Sequence, residues 1–473
     1  MTTAEQSYDV IVLGAGSTGE NVADIVVKGG LTAVLVESEL VGGECSYWAC
    51  MPSKTLLRGS EVLAGARAVS GAAAAVTGEQ DVAATLARRD SFTSNWDDAS
   101  QVEWVEKSNI ALVRGKGRLD GEKRVVVAQA DGTELVLTAR EAVAVCTGSR
   151  AAVPPVDGLA DVAPWTPREA TSAKEVPGRL LVIGGGYVGC EMSTAWQALG
   201  SSVTLFQHNE RLLPHLEPAA GDAVEASLRD LGVDVHLGVE VQSVRREGGE
   251  VVLTSSAGEF RGDEVLVAVG RAANTDEIGL ETVGLEPEGY LDVDESLQVP
   301  GTPWLYGVGD VNGRQQLTHM GKYQARQAGA AIVARARGEV VDLSDWSPFV
   351  ATADRRATPS VVFTDPQVAA VGMTAAEADA AGLPHRVVEY PIGSVAGAAV
   401  HADGYTGTAI AVVDTEREVL LGVTFVGGGV AELLHSATIA VVGEVPIARL
   451  WHAVPSYPTI SEIWLRLLET YRG

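Results

Sequence analysis

Cys45 and Cys50 lie five positions apart in the run Gly42-Gly43-Glu44-Cys45-Ser46-Tyr47-Trp48-Ala49-Cys50-Met51-Pro52-Ser53-Lys54. This is not a zinc-knuckle spacing, and no second Cys/His pair follows to complete four ligands, so the residues argue against a metal site. Pro52 and Ser53 read as the opening of a helix that runs through Leu56, Leu57 and Val62, which puts Cys50 near its N-terminus. There the helix dipole favours a thiolate, the form that attacks a disulfide. Only four cysteines occur in the chain. That count excludes a secreted disulfide scaffold and makes a closely spaced pair catalytic or metal-binding, with Cys146 and Cys190 as small buried residues.

Beyond the thiol pair, one pattern is written twice along the chain. Tyr8 to Leu13 is a short β-rich run ending in Gly14, Gly16 and Gly19; Arg179 to Ile183 is another, ending in Gly184, Gly186 and Gly189. Each spacing reads as strand, tight glycine turn and helix start, where backbone amides and the helix dipole stabilise a pyrophosphate. One such motif is weak evidence. Two in strand context, well apart, indicate two nucleotide-binding units. At equal distances beyond the first glycine stand Glu37 and Gln207. A carboxylate there accepts hydrogen bonds from ribose hydroxyls and repels a 2′-phosphate, so Glu37 suits the adenosine ribose of FAD or NAD and marks the first unit as the FAD site. Gln207 is neutral, with His208 and Arg211 close behind, and leaves NADPH open beside NADH.

The Gly-Gly-x-Cys-x-x-x-x-Cys-x-Pro-Ser-Lys run after a first glycine motif resembles the signature of the class I pyridine nucleotide-disulfide oxidoreductases, the superfamily of glutathione reductase, lipoamide dehydrogenase and mercuric reductase. The resemblance implies that Cys50 is the flavin-proximal charge-transfer thiol and Cys45 the interchange thiol that meets the acceptor. Lys54 would be the cation near flavin N5, Glu191 its partner, and Tyr187 the aromatic cover of the flavin that nicotinamide displaces. Gly14, Gly16, Gly19, Glu37 and Gly43 fall to FAD, as do Thr147-Gly148 at the exit from its domain. Asp310, closing Leu305 to Asp310, matches the aspartate that binds the flavin side chain, and His319 matches a position near the flavin. Gly184, Gly186, Gly189, Gln207 and His208 fall to NAD(P)H, with Gly270-Arg271 at the exit from that domain.

The resemblance also implies an α/β fold with two Rossmann-like dinucleotide-binding domains, for FAD and NAD(P), and a C-terminal α+β dimerisation domain. Its expected limits are 1–152 for FAD, 153–273 for NAD(P), 274–345 for a central FAD-contacting segment and 346–473 for the interface. The expected assembly is a homodimer whose active site is shared between subunits. Bulky Tyr47 and Trp48, between the cysteines, read as packing residues.

Near the C-terminus the pattern departs from the disulfide reductases. Where those enzymes carry a histidine acid/base and its orienting glutamate, this chain reads Tyr457-Pro458-Thr459-Ile460-Ser461-Glu462. A histidine titrates at about 6.5 and can shuttle a thiol proton, whereas a tyrosine at about 10 stays protonated near neutrality. The expected activity is electron transfer from NAD(P)H through FAD to the Cys45/Cys50 disulfide and on to a disulfide or other thiol-reactive acceptor. The alternative is a mercuric-ion, quinone or transhydrogenase-type enzyme whose electrons leave directly from flavin.

Composition agrees with a multidomain enzyme acting on small molecules. A chain of 473 residues exceeds one ordinary domain. Its 62 acidic against 35 basic residues, a formal net charge of -27, repel nucleic acid and anionic lipid. No apolar run reaches the roughly 18 residues that span a bilayer, and a soluble, cytoplasmic protein is expected.

Overall fold

The computed structural model describes residues 4–473, and the chain divides into two compact units. The first comprises the chain up to Met51, Asp90–Arg150 and Arg271–Arg355. Its sheet centres on Ala4–Leu13, flanked in parallel by Ala33–Glu37 and Glu134–Val145, with Ala111–Arg114 beyond Ala33–Glu37. Leu305–Gly307 pairs in parallel with the end of Glu134–Val145, while the beginning of that long strand carries the antiparallel pair Arg124–Ala128 and Lys116–Leu119. Val10 and Val12 belong to the core on one face, Ile11 and Leu13 to the core on the other. A strand covered on both sides reads as a continuous apolar run for this reason. The first face is covered by two helices, Ser17–Lys28 and Thr318–Ala336. They meet closely, because a Cβ at Gly321 would lie 2.3 Å from Thr18 Oγ1 and one at Gly329 2.6 Å from Ile25 Cγ2.

The second unit comprises Pro52–Arg89, Ala151–Gly270 and Arg356–Gly473. A four-stranded parallel sheet, in the order Asp234–His236, Ser202–Phe206, Arg179–Ile183, Glu264–Val267, repeats the nucleotide-binding topology. A three-stranded antiparallel sheet (Val241–Glu247, Glu250–Ser255, Gly258–Gly262) adjoins it, and a five-stranded antiparallel sheet with helices Leu434–Val442 and Ile463–Arg472 forms the C-terminal α+β part. The α/β class with two dinucleotide-binding sheets and an α+β domain is the architecture expected. Leu56 and Leu57 pack in one core with Trp196, Val362 and Val426. The buried Arg89 guanidinium donates to the carbonyls of Thr171 and Ala173. These contacts hold Pro52–Arg89, which lies within the 1–152 stretch of the sequence reading, in the second unit.

Candidate active site

The two glycine turns have the same construction. Gly14 and Gly184 have φ of +95° and +110°, and a Cβ on either would lie 2.5 Å from Cys146 O or 2.4 Å from Ala268 O. Side chains at Gly19 and Gly189 would collide with the carbonyls of Gly14 and Gly184. The middle glycines are open: nothing lies within 4 Å of a Cβ at Gly186, and only Gly43 Cα, at 3.8 Å, near one at Gly16. A backbone cradle with close turns at its ends and free space at its centre fits a dinucleotide pyrophosphate. Gly43 is required by packing, since its Cβ would stand 2.7 Å from Gly16 Cα.

Glu37 Oε2 accepts the Ala15 N–H at 2.7 Å and Oε1 the Glu39 N–H at 2.7 Å, while burial pushes its carboxyl above the usual range. Gln207 mirrors it: Oε1 accepts the Gly185 N–H at 3.1 Å, and Nε2 donates to Arg211 O at 3.2 Å. His208 is exposed beside it, and the Arg211 guanidinium lies 3.3 Å from Asp222. Asp310 accepts from the Ser149 hydroxyl; burial raises its carboxyl, opposed by that bond and by Arg271 at 3.8 Å. Arg271 also donates to Ser149 Oγ and to Glu44, which ties the residue before Cys45 to Ser149 and Asp310. Thr147 and Asn274 exchange hydrogen bonds of 2.7 and 3.0 Å around Gly148. Gly270 takes a φ of +143°, and His319 is exposed next to Thr318.

Cys50 is the first residue of the helix Cys50–Arg67, and Cys45 lies in the short helix Gly43–Tyr47. Cys50 Sγ stands 3.2 Å from Thr318 Oγ1. Cys45 hydrogen-bonds to Cys50. That bond, burial and the Cys50 charge push its thiol upward, against the Thr318 hydroxyl and the Lys322 charge. Tyr47 is buried and donates to Val41 O at 3.0 Å, while Trp96 Nε1 donates to Tyr47 O at 3.2 Å. Tyr47 is thus a packing residue that fixes the loop between the thiols.

Lys54 follows Cys50 by one helical turn. Its Nζ lies 2.7 Å from Glu191 Oε2 and 5.0 Å from the centre of the Phe363 ring. Glu191 Oε1 accepts the Phe363 N–H at 3.0 Å. Tyr187 opens the helix Tyr187–Ala198, one turn before Glu191, and its hydroxyl lies 3.0 Å from Ser360 Oγ. Burial pushes this phenol upward. Tyr457 is 77 % exposed. Glu462 accepts the Gly397 N–H at 3.1 Å, so its carboxylate anchors the Ala396–His401 helix.

Thr318, Phe363, Ser360 and Glu44 were missed by sequence reasoning. Glu44 adjoins Cys45 and could have been singled out. The other three touch partners over a hundred residues away and carry no local signal. Among the described residues no group of three or more His, Cys, Asp or Glu side chains could hold a metal, and no helix is long and apolar enough to cross a membrane.

The pyridine nucleotide-disulphide oxidoreductase profile matches residues 8–329, and that of its dimerisation domain residues 358–467. The chain belongs to this family. It is 31% identical to dihydrolipoyl dehydrogenase of Haloferax volcanii, over 98% of this chain and 96% of that one. It is 28% identical to mercuric reductase of Staphylococcus aureus, over 96% of this chain and 81% of that one. The Cu(II) complex of the HOCl-induced flavoprotein disulfide reductase RclA from Escherichia coli matches with a TM-score of 0.84 at 23% identity, over 98% of this chain and 99% of that one; this likeness concerns the fold. The chain is therefore an NAD(P)H-dependent flavoprotein oxidoreductase of the disulfide reductase type, using FAD and NAD(P)H, and it carries the family's dimerisation domain.

Proposed function

We propose that Cys45 and Cys50 are the working thiols of this enzyme, with Cys50 exchanging charge with flavin and Cys45 meeting a disulfide or other thiol-reactive acceptor. The observation that carries this reading is the pairing of a helix-opening Cys50, 3.2 Å from the Thr318 hydroxyl, with a hydrogen-bonded Cys45. The helix N-terminus stabilises a Cys50 thiolate. FAD, when bound, supplies hydride acceptance from the nicotinamide and electron delivery to the thiols. In our reading residues 1–152 supply the FAD side, with Gly14, Gly16, Gly19 and Glu37 for the adenosine pyrophosphate and ribose and Asp310 for the flavin side chain; 153–273 bind NAD(P)H; 274–345 return to FAD; 346–473 form the interface.

Lys54, fixed by Glu191, places positive charge where reduced flavin becomes anionic. Tyr187 covers the flavin until nicotinamide arrives. Tyr457 enters the thiol site of the other subunit, so that the homodimer shares its active sites. With a phenol in that place, acceptors that need no proton shuttle, such as a soft metal ion or a quinone, form the second reading. A chain of this length with only four cysteines suits the reducing cytoplasm, where we place the enzyme.

The test is two-electron reduction of the purified holoenzyme. A long-wavelength band should appear in the wild type and be absent in Cys50→Ser with FAD still bound. Ordinary flavin reduction with both thiols unreactive would overturn the assignment.

A further inference from the structure

The helix Tyr187–Ala198 is held along most of its length. Every residue from Gly189 to Trp196 is buried, and Cys190, Met192, Ala195 and Trp196 share one core with Leu56, Leu57 and Val362. Tyr187, the first helical residue, is half-buried at the margin of that core. Its neighbour Val188 is 36% exposed, and Gly186 before it has nothing within 4 Å of a Cβ. The Tyr187 ring is therefore the part of this element with room to swing, while the backbone beneath it stays in place. Its hydroxyl donates to Ser360 Oγ at 3.0 Å. A phenol packed against a core keeps such a bond, because leaving its hydroxyl unpaired is costly.

Ser360 is presented by a rigid element. It lies in the strand Pro359–Val362, at one edge of the five-stranded antiparallel sheet and opposite Ala370. Three residues on, the Phe363 N–H donates to Glu191 Oε1 at 3.0 Å, and Lys54 Nζ stands over the Phe363 ring. This strand and the residue that follows it thus hold the helix at two successive turns, through a side chain at Tyr187 and through backbone at Glu191. The two bonds differ in how easily they break. The Phe363 amide and the Lys54 ammonium meet a buried carboxylate, whose charge makes release expensive. The Ser360 bond joins two neutral hydroxyls, worth about threefold to tenfold in an equilibrium. Rotation of the tyrosine side chain opens it with no movement of the helix.

We propose that Ser360 is the latch of Tyr187: its hydroxyl holds the ring closed in the free enzyme and sets how readily NAD(P)H displaces it. The proposal rests on the reading that Tyr187 covers the flavin until nicotinamide arrives. A nucleotide whose nicotinamide enters the open form alone binds with an affinity reduced by the fraction of enzyme that is open. The Ser360–Tyr187 bond favours the closed form, so it weakens nucleotide binding by the factor with which it stabilises closure. Once nucleotide is bound the bond is already broken, and hydride transfer at saturation does not depend on it. Ser360 touches neither nucleotide nor flavin in this scheme; it is a positioning residue that acts through Tyr187.

The test compares holoenzymes carrying Ser360→Ala, Ser360→Thr, Tyr187→Phe, the double change Ser360→Ala/Tyr187→Phe, and Tyr187→Ala. Ser360→Ala should lower the Kd of the oxidised nucleotide, NAD+ or NADP+, by about threefold to tenfold. The NAD(P)H concentration that half-saturates flavin reduction should fall by the same factor, with the limiting rate unchanged. Flavin fluorescence should rise, since a phenol stacked on the flavin quenches it. A merely structural defect would weaken nucleotide binding rather than tighten it. Tyr187→Phe should lower the Kd as Ser360→Ala does, and the double variant should go no further than either single change, because all three remove one bond. Ser360→Thr keeps the hydroxyl and should match the wild type. An unchanged Kd in Ser360→Ala, effects that add in the double variant, or a Ser360→Thr enzyme that behaves like Ser360→Ala overturns the latch. Tyr187→Ala separates that failure from a deeper one: if it alters neither flavin fluorescence nor the half-saturating concentration, Tyr187 does not cover the flavin and the underlying reading falls with the latch.

Discussion

Lys54 Nζ lies 2.7 Å from Glu191 Oε2, and of the two partners it is the lysine that reaches solvent, with its side chain 36% exposed against 5% for the glutamate. The two members of the pair are therefore unequal under mutation. Lys54→Met leaves a buried carboxylate with the Phe363 N–H as its remaining donor, a loss of about 2 kcal/mol once the lysine's exposure is discounted from the usual cost of an uncompensated charge. Glu191→Gln keeps an acceptor for Lys54 and should cost about 1 kcal/mol. Guanidinium denaturation of the two variants checks the order. Flavin reduction should slow in both, since Lys54→Met removes the positive charge and Glu191→Gln loosens the ion pair that fixes it.

Gln207 shows how the second glycine turn differs from the first. Both of its polar atoms are engaged, Oε1 by Gly185 and Nε2 by the Arg211 carbonyl. A glutamate in its place would keep the first bond, lose the second and bring a negative charge to the ribose. Gln207→Glu should shift the ratio of kcat/KM values towards NADH by repelling a 2′-phosphate. An unchanged ratio for the two nucleotides would show that position 207 does not meet the ribose.

The parts legible in the sequence are those fixed by local backbone geometry. Gly14 and Gly184 announce themselves because nothing larger fits against Cys146 O or Ala268 O, and Cys50 because Pro52 and Ser53 mark a helix start two residues on. Cys50 itself proved to be the first helical residue. Thr318 meets Cys50 across 268 positions, and Ser360 and Phe363 meet Tyr187 and Glu191 across more than 170. Such pairings depend on which elements pack together, and no local pattern encodes them. Glu20 reads in sequence as an ordinary first-turn acid; only the burial of its Oε1, without a hydrogen-bond partner among the described residues, separates it from one.

Asp354 gives stability a pH dependence. Burial raises its carboxyl to about 7, against the Gln324 amide that donates to Oδ2 at 2.8 Å, with Arg314 and Arg355 opposing and Glu295 reinforcing the shift. Between about pH 4 and 7 the folded chain keeps a proton that the unfolded chain releases. The unfolding free energy therefore falls as pH rises through this window, by at most about 1.4 kcal/mol per pH unit for this group, and levels off above it. Asp354→Asn should flatten the slope and raise stability at ~pH 8 relative to the wild type. Urea midpoints across this range test it, and a slope equal to that of the wild type would assign the dependence elsewhere.

Tyr457 is where acceptor choice should show. Its ring is exposed on the isolated subunit, as a residue reaching into a partner's site would be, and Glu462 is committed to the Gly397 N–H. A site not built around an imidazole gains little from one, and Tyr457→His should raise lipoamide or small-disulfide reduction by less than about tenfold, well short of the 10² to 10⁴ that a positioned acid/base contributes. In the wild type those reductions should be slower than hydride transfer to flavin. Tyr457→Phe separates the remaining roles: lost activity means that the hydroxyl donates to an acceptor or holds it, and full activity means that the ring only packs. Stopped-flow flavin reduction compared with steady-state lipoamide turnover decides the matter, because equal rates would show that the absence of a histidine has not moved the enzyme away from ordinary disulfide substrates.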